Sequence, residues 1–361
     1  MRATRTLPHL FRRSPCLGPS ASRSCLPNWR RTYSIQPAQP LSSDDIKAEM
    51  LGRPAQWIRD ILSPTNSTLL NIVLADLIPR ECLAKGTNIK SISKKNELPD
   101  GHHLVYFPLQ KTLLELCPDG TDPSHSPGDP FVRRMWAGGS IDFNRNFKLS
   151  SASVDCKESI EDVTFKGPSG QEKIFVTVLR DYMVSADRTV MSGRDLPRIR
   201  EKRSLVFMRG LGKEQARENL VKSEGERDRI VKASNEPDYS FTLTPTPRLL
   251  FYFSALSFNS HSIHLDTEYC RKVEGHRNLL VHGPLSLILM LSAVKSQLKK
   301  EEKIVKIDYR NLAPLYANEP LRVCVRRVEE PHDGTQRDWE VWVEDRDGGL
   351  AVRGTARTDL K

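Results

Sequence analysis

The stretch His282-Gly283-Pro284-Leu285-Ser286-Leu287-Ile288-Leu289-Met290-Leu291-Ser292-Ala293-Val294 is the most apolar helix candidate in this 361-residue chain, and it decides the fold class. Its apolar content predicts a helix over His282–Leu298, with the run Leu285, Leu287, Ile288, Leu289, Met290 and Leu291 read as core. Strand candidates follow it at Lys303–Tyr309, Leu321–Glu329, Glu340–Asp345 and Leu350–Thr358, the last two joined by the turn Asp345-Arg346-Asp347-Gly348-Gly349. One buried helix followed by consecutive antiparallel strands is what a sheet wrapped round a central helix requires, so the class is α+β.

The N-terminal half repeats this order. Ser42-Ser43-Asp44 opens a helix expected to run to about Ile61, Pro64 interrupts, and a second apolar helix is predicted over Ser67–Leu77 as the central helix of this half. A strand is expected over His103–Leu109, and Cys117–Pro130, made of Pro, Gly, Asp and Ser, reads as a long surface connection. Strands rich in Val, Ile and Phe are predicted at Ser140–Phe143, Ser150–Asp155, Ser159–Lys166, Lys173–Ser185 and Ser204–Met208, with a hairpin tip at Lys166-Gly167-Pro168-Ser169-Gly170. Gly210–Glu236 is dominated by charge and reads as a solvated helix or an interdomain linker. The expected organisation is therefore a leader over 1–33, an N-terminal unit over 44–209, a charged linker over 210–240 and a C-terminal unit over 241–361.

The formal charge of +10 raises the question of a nucleic-acid partner. Its distribution argues for no nucleic acid: Met1–Ser43 holds seven arginines (2, 5, 12, 13, 23, 30 and 31) and no Asp, Glu or Lys, and these account for most of the excess. An Arg- and Ser-rich leader without carboxylates has the composition of a mitochondrial transit peptide, and Arg31-Thr32-Tyr33-Ser34 suggests a mature start near Ser34 in the matrix; a basic tail that binds RNA or acidic lipid is the alternative. No apolar stretch reaches the roughly 18–20 residues that span a bilayer, so no membrane span is expected. The cysteines show no C-x-x-C pair, which leaves no disulfide framework or zinc site in view.

The segment ahead of the buried helix carries the chemistry: Phe253-Ser254-Ala255-Leu256-Ser257-Phe258-Asn259-Ser260-His261-Ser262-Ile263-His264-Leu265-Asp266, then Tyr269, Glu274-Gly275 and Val281-His282-Gly283-Pro284-Leu285. It resembles the hydratase 2 signature of MaoC-like (R)-specific enoyl-thioester hydratases, and most closely the mitochondrial hydroxyacyl-thioester dehydratase type 2 group. Arg133-Arg134-Met135-Trp136-Ala137-Gly138-Gly139 and the strands after it look like the N-terminal hot-dog of the same two-domain proteins, so the resemblance covers roughly residues 45–361 apart from the charged linker. It implies two hot-dog folds and a hydro-lyase acting on 3-hydroxyacyl or trans-2-enoyl thioesters in mitochondrial type II fatty-acid synthesis. The implied substrate is an acyl-ACP or acyl-CoA thioester, with acyl carrier protein as partner. No cofactor and no metal are implied.

Dehydration of such a thioester needs a base for the C2 proton, an acid for the departing hydroxyl and stabilisation of the enolate oxygen. His264 can exchange protons at working pH; the alternative is a structural histidine bonded in its loop. The resemblance maps the usual catalytic Asp onto Asn259, whose amide can orient water or the substrate hydroxyl and cannot act as a general base. Either His264 shuttles alone or Asp266 assists it, unless Asp266 only caps a turn. Gly283 sits where helix-start N–H groups suit an oxyanion hole, or it merely permits a tight entry before Pro284. His282 reads as structural. His261, His264 and Asp266 offer three donors in a short loop, but nothing else in the chain completes a metal site. Arg133-Arg134 or Arg326-Arg327 could form a basic patch for an acidic carrier. Competing functions are a hydratase for a short dicarboxylic or branched acyl-CoA and, because of Asn259, a catalytically inactive hot-dog scaffold; a thioesterase would want a carboxylate that this helix start lacks. A chain holding both hot-dogs can be a monomer or a homodimer.

Overall fold

A computed structural model describes residues 42–85, 96–144, 146–150, 152–185, 197–225, 230–328 and 336–360. The leader, with its expected processing point, lies outside the described residues. Strands β1 (Gln56–Ile61), β2 (Arg133–Phe143), β3 (Ser153–Lys166), β4 (Lys173–Val184), β5 (Ile199–Met208), β6 (Tyr239–Leu243), β7 (Glu302–Asn311), β8 (Leu321–Arg327), β9 (Gln336–Glu344) and β10 (Leu350–Leu360) form one sheet in the order β1-β3-β4-β5-β2-β7-β10-β9-β8-β6. All the pairings are antiparallel. Counted from either outer edge inward, each half runs first strand, third, fourth, fifth, second. The halves therefore share one topology and meet at the β2–β7 seam, where Gly138 faces Arg310 and Ile141 faces Ile307.

The helices are α1 (Ser43–Leu51), α2 (Pro64–Leu74), α3 (Lys213–Glu224), α4 (Pro247–Ser257), the short α5 (Thr267–Tyr269) and α6 (Gly283–Gln297). Helix α6 is buried all round, through Leu285, Leu287, Ile288, Leu289, Met290, Leu291, Ala293 and Val294, with the C-terminal strands wrapped round it as its composition requires. Among the described residues, no helix is long and apolar enough to cross a membrane.

The N-terminal half departs from expectation at several points. The first helix stops at Leu51 because Gly52 caps it and Pro54 disfavours helix at Arg53, so residues 56–61 become β1 instead of helix. The expected strand at His103–Leu109 is a 3-10 turn, His102–Val105, since Phe107 takes a left-handed φ of 56° that no strand accommodates. Helix α2 is also the counterpart of α4 and not of α6. Each is eleven residues long, follows the first strand of its half and begins with Pro, and the two pack against each other. Between β1 and β2 the described residues contain no second long helix; 3-10 turns stand there instead, and the turn after Gly101 lies against Ile288 and Leu291 of α6. One core cluster consequently runs through both halves, from Leu70 and Ile141 to Leu289 and Val341.

The two strands expected at Ser150–Asp155 and Ser159–Lys166 are one, β3, which pairs with β4 through the expected hairpin tip. The charged stretch contains α3, which is docked and only partly solvated: Ala216 is buried, and α3 packs on the Cys270–Glu274 turn. Leu249–Phe253 is part of α4. Cys82, Cys117, Cys156, Cys270 and Cys324 are free thiols.

Candidate active site

Helix α4 ends at Phe258 in a left-handed conformation (φ 51°), and Asn259 N–H returns to the Ser254 carbonyl at 2.9 Å. The chain then turns so that the Asn259 Oδ1 accepts from His261 N–H at 3.1 Å, which leaves the amide NH2 available as a donor. A 3-10 turn, Ser262–His264, carries His264 inward.

His264 is 7% exposed, and its Nδ1 lies 2.8 Å from the Leu280 carbonyl oxygen. A carbonyl only accepts, so Nδ1 carries the proton and Nε2 keeps the lone pair. Burial pushes the imidazole pKa down to about 4, with the Leu280 bond working weakly the other way, so the ring is neutral near pH 7. His282 stacks on it with centroids 3.6 Å apart and planes at 20°. His282 is itself held by Ser254 Oγ at 2.9 Å and by the edge of Phe253, and burial drives it far below the ordinary histidine range. Its hydrogen-bonding nitrogen is turned to Ser254, a supporting position.

Both Asn259 and His264 line a cavity of about 260 Å³ that draws its wall from both halves. Gly283, at the start of α6, lines it as well. A Cβ on Gly283 would come within 3.1 Å of Trp136 Cβ and Asn311 Nδ2, so the close approach of β2 to this helix start admits glycine alone without a shift. Pro284 carries no N–H, so Gly283 supplies the first free donor of the helix, at the positive end of its dipole.

Asp266 is not brought to this cavity. It is exposed, and its Oδ1 accepts from Tyr269 N–H at 3.1 Å as the N-cap of α5. His261, His264 and Asp266 accordingly do not converge as metal ligands. Asp122, His125 and Glu158 do lie with donor atoms within 4.8 Å of one another on the cavity wall. Glu158 is already 2.9 Å from the Arg180 guanidinium; burial opposes its ionisation, but Arg180 and His125 hold its carboxyl below the usual range.

Several lining residues come from segments that sequence reasoning placed elsewhere. Cys117–Pro130 is not simply a surface connection: Asp119 and Thr121 are buried, and Gly120, Thr121, Asp122 and His125 line the cavity. Trp136 and Arg134 come from the Arg133–Gly139 motif, with Trp136 Nε1 donating to Tyr309 OH at 2.8 Å across the seam. Arg133, Arg134 and Arg326 are engaged, while Arg327 is exposed. Arg133 is 2.7 Å from Glu274, Arg134 lines the cavity and donates to the Asp122 carbonyl at 2.8 Å, and Arg326 is 3.2 Å from Glu340.

Paired hot-dog units sharing one sheet, with a neutral histidine and a helix start on the wall of one cavity, fit a thioester hydratase or dehydratase. Comparison with known proteins narrows this. The family described as hydroxyacyl-thioester dehydratase type 2 matches residues 101–317, and the chain belongs to that family. The mitochondrial hydroxyacyl-thioester dehydratase type 2 of Schizosaccharomyces pombe is 27% identical over 285 residues, 74% of this chain and 89% of that one. Mesaconyl-C(4)-CoA hydratase of Chloroflexus aurantiacus is 30% identical over 231 residues, 63% and 75% of the two chains. Among solved structures, a MaoC-like dehydratase from Phytophthora capsici superposes with a TM-score of 0.57 at 15% identity, covering 87% of this chain and 98% of that one, which places the same fold. The protein is a hydro-lyase of hydroxyacyl thioesters.

Proposed function

We propose that the chain interconverts 3-hydroxyacyl and trans-2-enoyl thioesters in mitochondrial type II fatty-acid synthesis, with His264 as the proton-transferring base. The carrying observation is the Nδ1–Leu280 bond, which aims a neutral Nε2 lone pair into the cavity. In dehydration His264 Nε2 takes the C2 proton, the C2–H electron pair becomes the C2=C3 bond, and the C3–O pair leaves on the hydroxyl, which takes up a proton from an acid of the site and departs as water. The Gly283 N–H meets the negative charge that builds on the thioester oxygen. Asn259, with its Oδ1 engaged by its own loop, offers its NH2 to the substrate hydroxyl. The relatives named mitochondrial support a mitochondrial location, and the arginine-rich leader supports import to the matrix. Acyl carrier protein is the proposed carrier, and the pairing of both halves in one sheet supports a monomer as the working unit.

A second reading, a short dicarboxylic or branched acyl-CoA as substrate, is favoured by one observation: Arg134, Arg180 and Arg203 line the cavity wall. The test is hydration of trans-2-enoyl thioesters of graded length on acyl carrier protein and on CoA, with the mono-CoA thioester of an unsaturated dicarboxylic acid beside them. Turnover of the longer carrier-bound chains, with an (R)-3-hydroxy product, is expected. Turnover of the dicarboxylic thioester alone would establish the second reading, and no turnover of any would leave the inactive scaffold.

A further inference from the structure

Addition or removal of water moves two protons, one at C2 and one at the hydroxyl, and the motif that holds His264 has an amide where a carboxylate would serve as the second group. The N-terminal half brings a carboxylate to the same place. Ser262 N–H and Oγ donate to the Asp119 carbonyl at 2.8 and 3.1 Å, and Ser260 Oγ donates to the Gly120 carbonyl at 2.7 Å. Gly120 has φ +80°, and a Cβ there would meet the Ser260 carbonyl oxygen at 2.2 Å, so a side chain would break this docking.

The docked loop carries Asp119 into a buried position, 6% exposed. One oxygen, Oδ1, accepts from Thr121 N–H at 3.0 Å and from Thr121 Oγ1 at 2.5 Å. The other, Oδ2, is buried without a hydrogen-bond partner and lies 3.4 Å from His261 Nε2. An unpartnered buried carboxylate oxygen is unfavourable unless a donor reaches it, and the His261 Nε2–H is the donor within reach. His261 lines the cavity, its ring edge-on to His264 with centroids 5.6 Å apart. With Nε2 turned to Asp119, Nδ1 is the nitrogen left for a ligand.

We propose that Asp119 and His261 form the second proton-transfer group of the site, Asp119 supplying from the N-terminal half the carboxylate that Asn259 lacks. This rests on the hydratase reading above. In dehydration His264 takes the C2 proton and the C2–H pair forms the double bond. The proton passes through water from His264 to Nδ1 of the neutral His261, and the hydroxyl, leaving with the C3–O pair, takes that Nδ1 proton and departs as water. Asp119, accepting the Nε2 proton in a hydrogen bond, stabilises His261 while it is an imidazolium. Both rings end as they began, neutral, and hydration runs the same steps backwards. The charged and titratable groups around His261 are Asp119 and Arg134 from the N-terminal half and His264 and His282 from the C-terminal half. Asp119 is thus a positioning residue, and His261 is the group that touches substrate.

The test uses the mature chain, Asp119→Asn, His261→Gln and the double variant, with kcat and KM for a crotonyl thioester between about pH 5 and 9, together with nitrogen-15 spectra of the histidine rings. Asp119→Asn should lower kcat about tenfold or more with KM little changed, move the acid limb of the pH profile, and lower the pH at which His261 titrates. The double variant should be no slower than His261→Gln, since groups acting as one unit are not additive. Asparagine keeps the acceptor for Thr121, and thermal melting checks the fold. Should that variant not fold, the wild-type spectrum decides: neutral His261 protonated on Nε2 supports the dyad, and protonation on Nδ1 overturns it. Wild-type kcat and pH profile in Asp119→Asn, or losses that multiply in the double variant, also overturn it. An inactive wild type would overturn the hydratase reading instead, leaving the tautomer and titration of His261 to decide the dyad.

Discussion

His264 is a residue whose chemistry is set by its surroundings: a carbonyl fixes the proton on Nδ1, a stacked imidazole holds the ring plane, and burial keeps the ring neutral. Replacing it removes the only ring nitrogen so aimed by the Leu280 carbonyl. His264→Ala should therefore lower kcat by about 10²–10⁴-fold, the range of a lost general acid–base, while the circular dichroism stays that of wild type. Asn259→Asp preserves the acceptor for His261 N–H and adds a carboxylate oxygen on the cavity side. It should hold kcat at or above wild type, since a carboxylate there can exchange the hydroxyl-side proton in place of the lost NH2 donor, whereas Asn259→Ala loses the turn contact and any polar group and should be slower. Equal turnover by wild type and His264→Ala would show that this loop is not where the chemistry occurs.

At the scale of elements, the seam between β2 and β7 is what lets a helix start in one half face side chains of the other. Gly138 sits in it at φ +146°, beside a register shift in β2, and a Cβ there would lie 2.4 Å from the Tyr309 carbonyl oxygen. Only glycine fits both the backbone angle and the space. Gly138→Ala should destabilise the fold by about 2–3 kcal/mol, the range for strain at such positions combined with a lost ladder contact, and urea unfolding would read it as a lower midpoint. An unchanged midpoint would mean the seam can open without penalty. Helix α2 teaches a related lesson about repeats. Its apolar pattern resembles that of any packed helix, and it was expected at the centre of its half. Its partner turns out to be α4, because both follow the first strand of their halves and bury one face against each other.

Across the whole molecule, the described residues include five buried imidazoles. His102, His103, His261, His264 and His282 are all buried, and burial lowers the pKa of each, that of His102 to about 3 and that of His264 to about 4. In the unfolded chain each would titrate near 6.5, so below that pH the unfolded state binds more protons and stability falls. The stability is fully present above about pH 6.5 and declines as pH drops towards the folded values. His264 alone would contribute a loss of about 2 kcal/mol by about pH 5. The melting temperature should therefore fall between about pH 7.5 and pH 5, and the slope should shrink in His264→Gln. A melting temperature flat over that window would contradict the neutral burial of these rings.

The sequence by itself determined what local pattern can carry. The all-round apolar run of α6, the strand alternation after it, the hairpin tips at Lys166–Gly170 and Asp345–Gly349, and the Asn259–His264 motif ahead of Gly283 are set by residues close in the chain, where periodicity and turn chemistry act. What only the tertiary structure decided lies in contacts between distant segments. Asp266, near His264 in sequence, caps α5 and faces solvent, because the turn rotates its side chain out of the cavity. Asp119, 145 positions before His264 and set in a run of turn-forming residues, packs beside His261 because Gly120 can approach Ser260 closely. Turn composition signals where a chain bends, but the surface against which it bends depends on the packing of both halves.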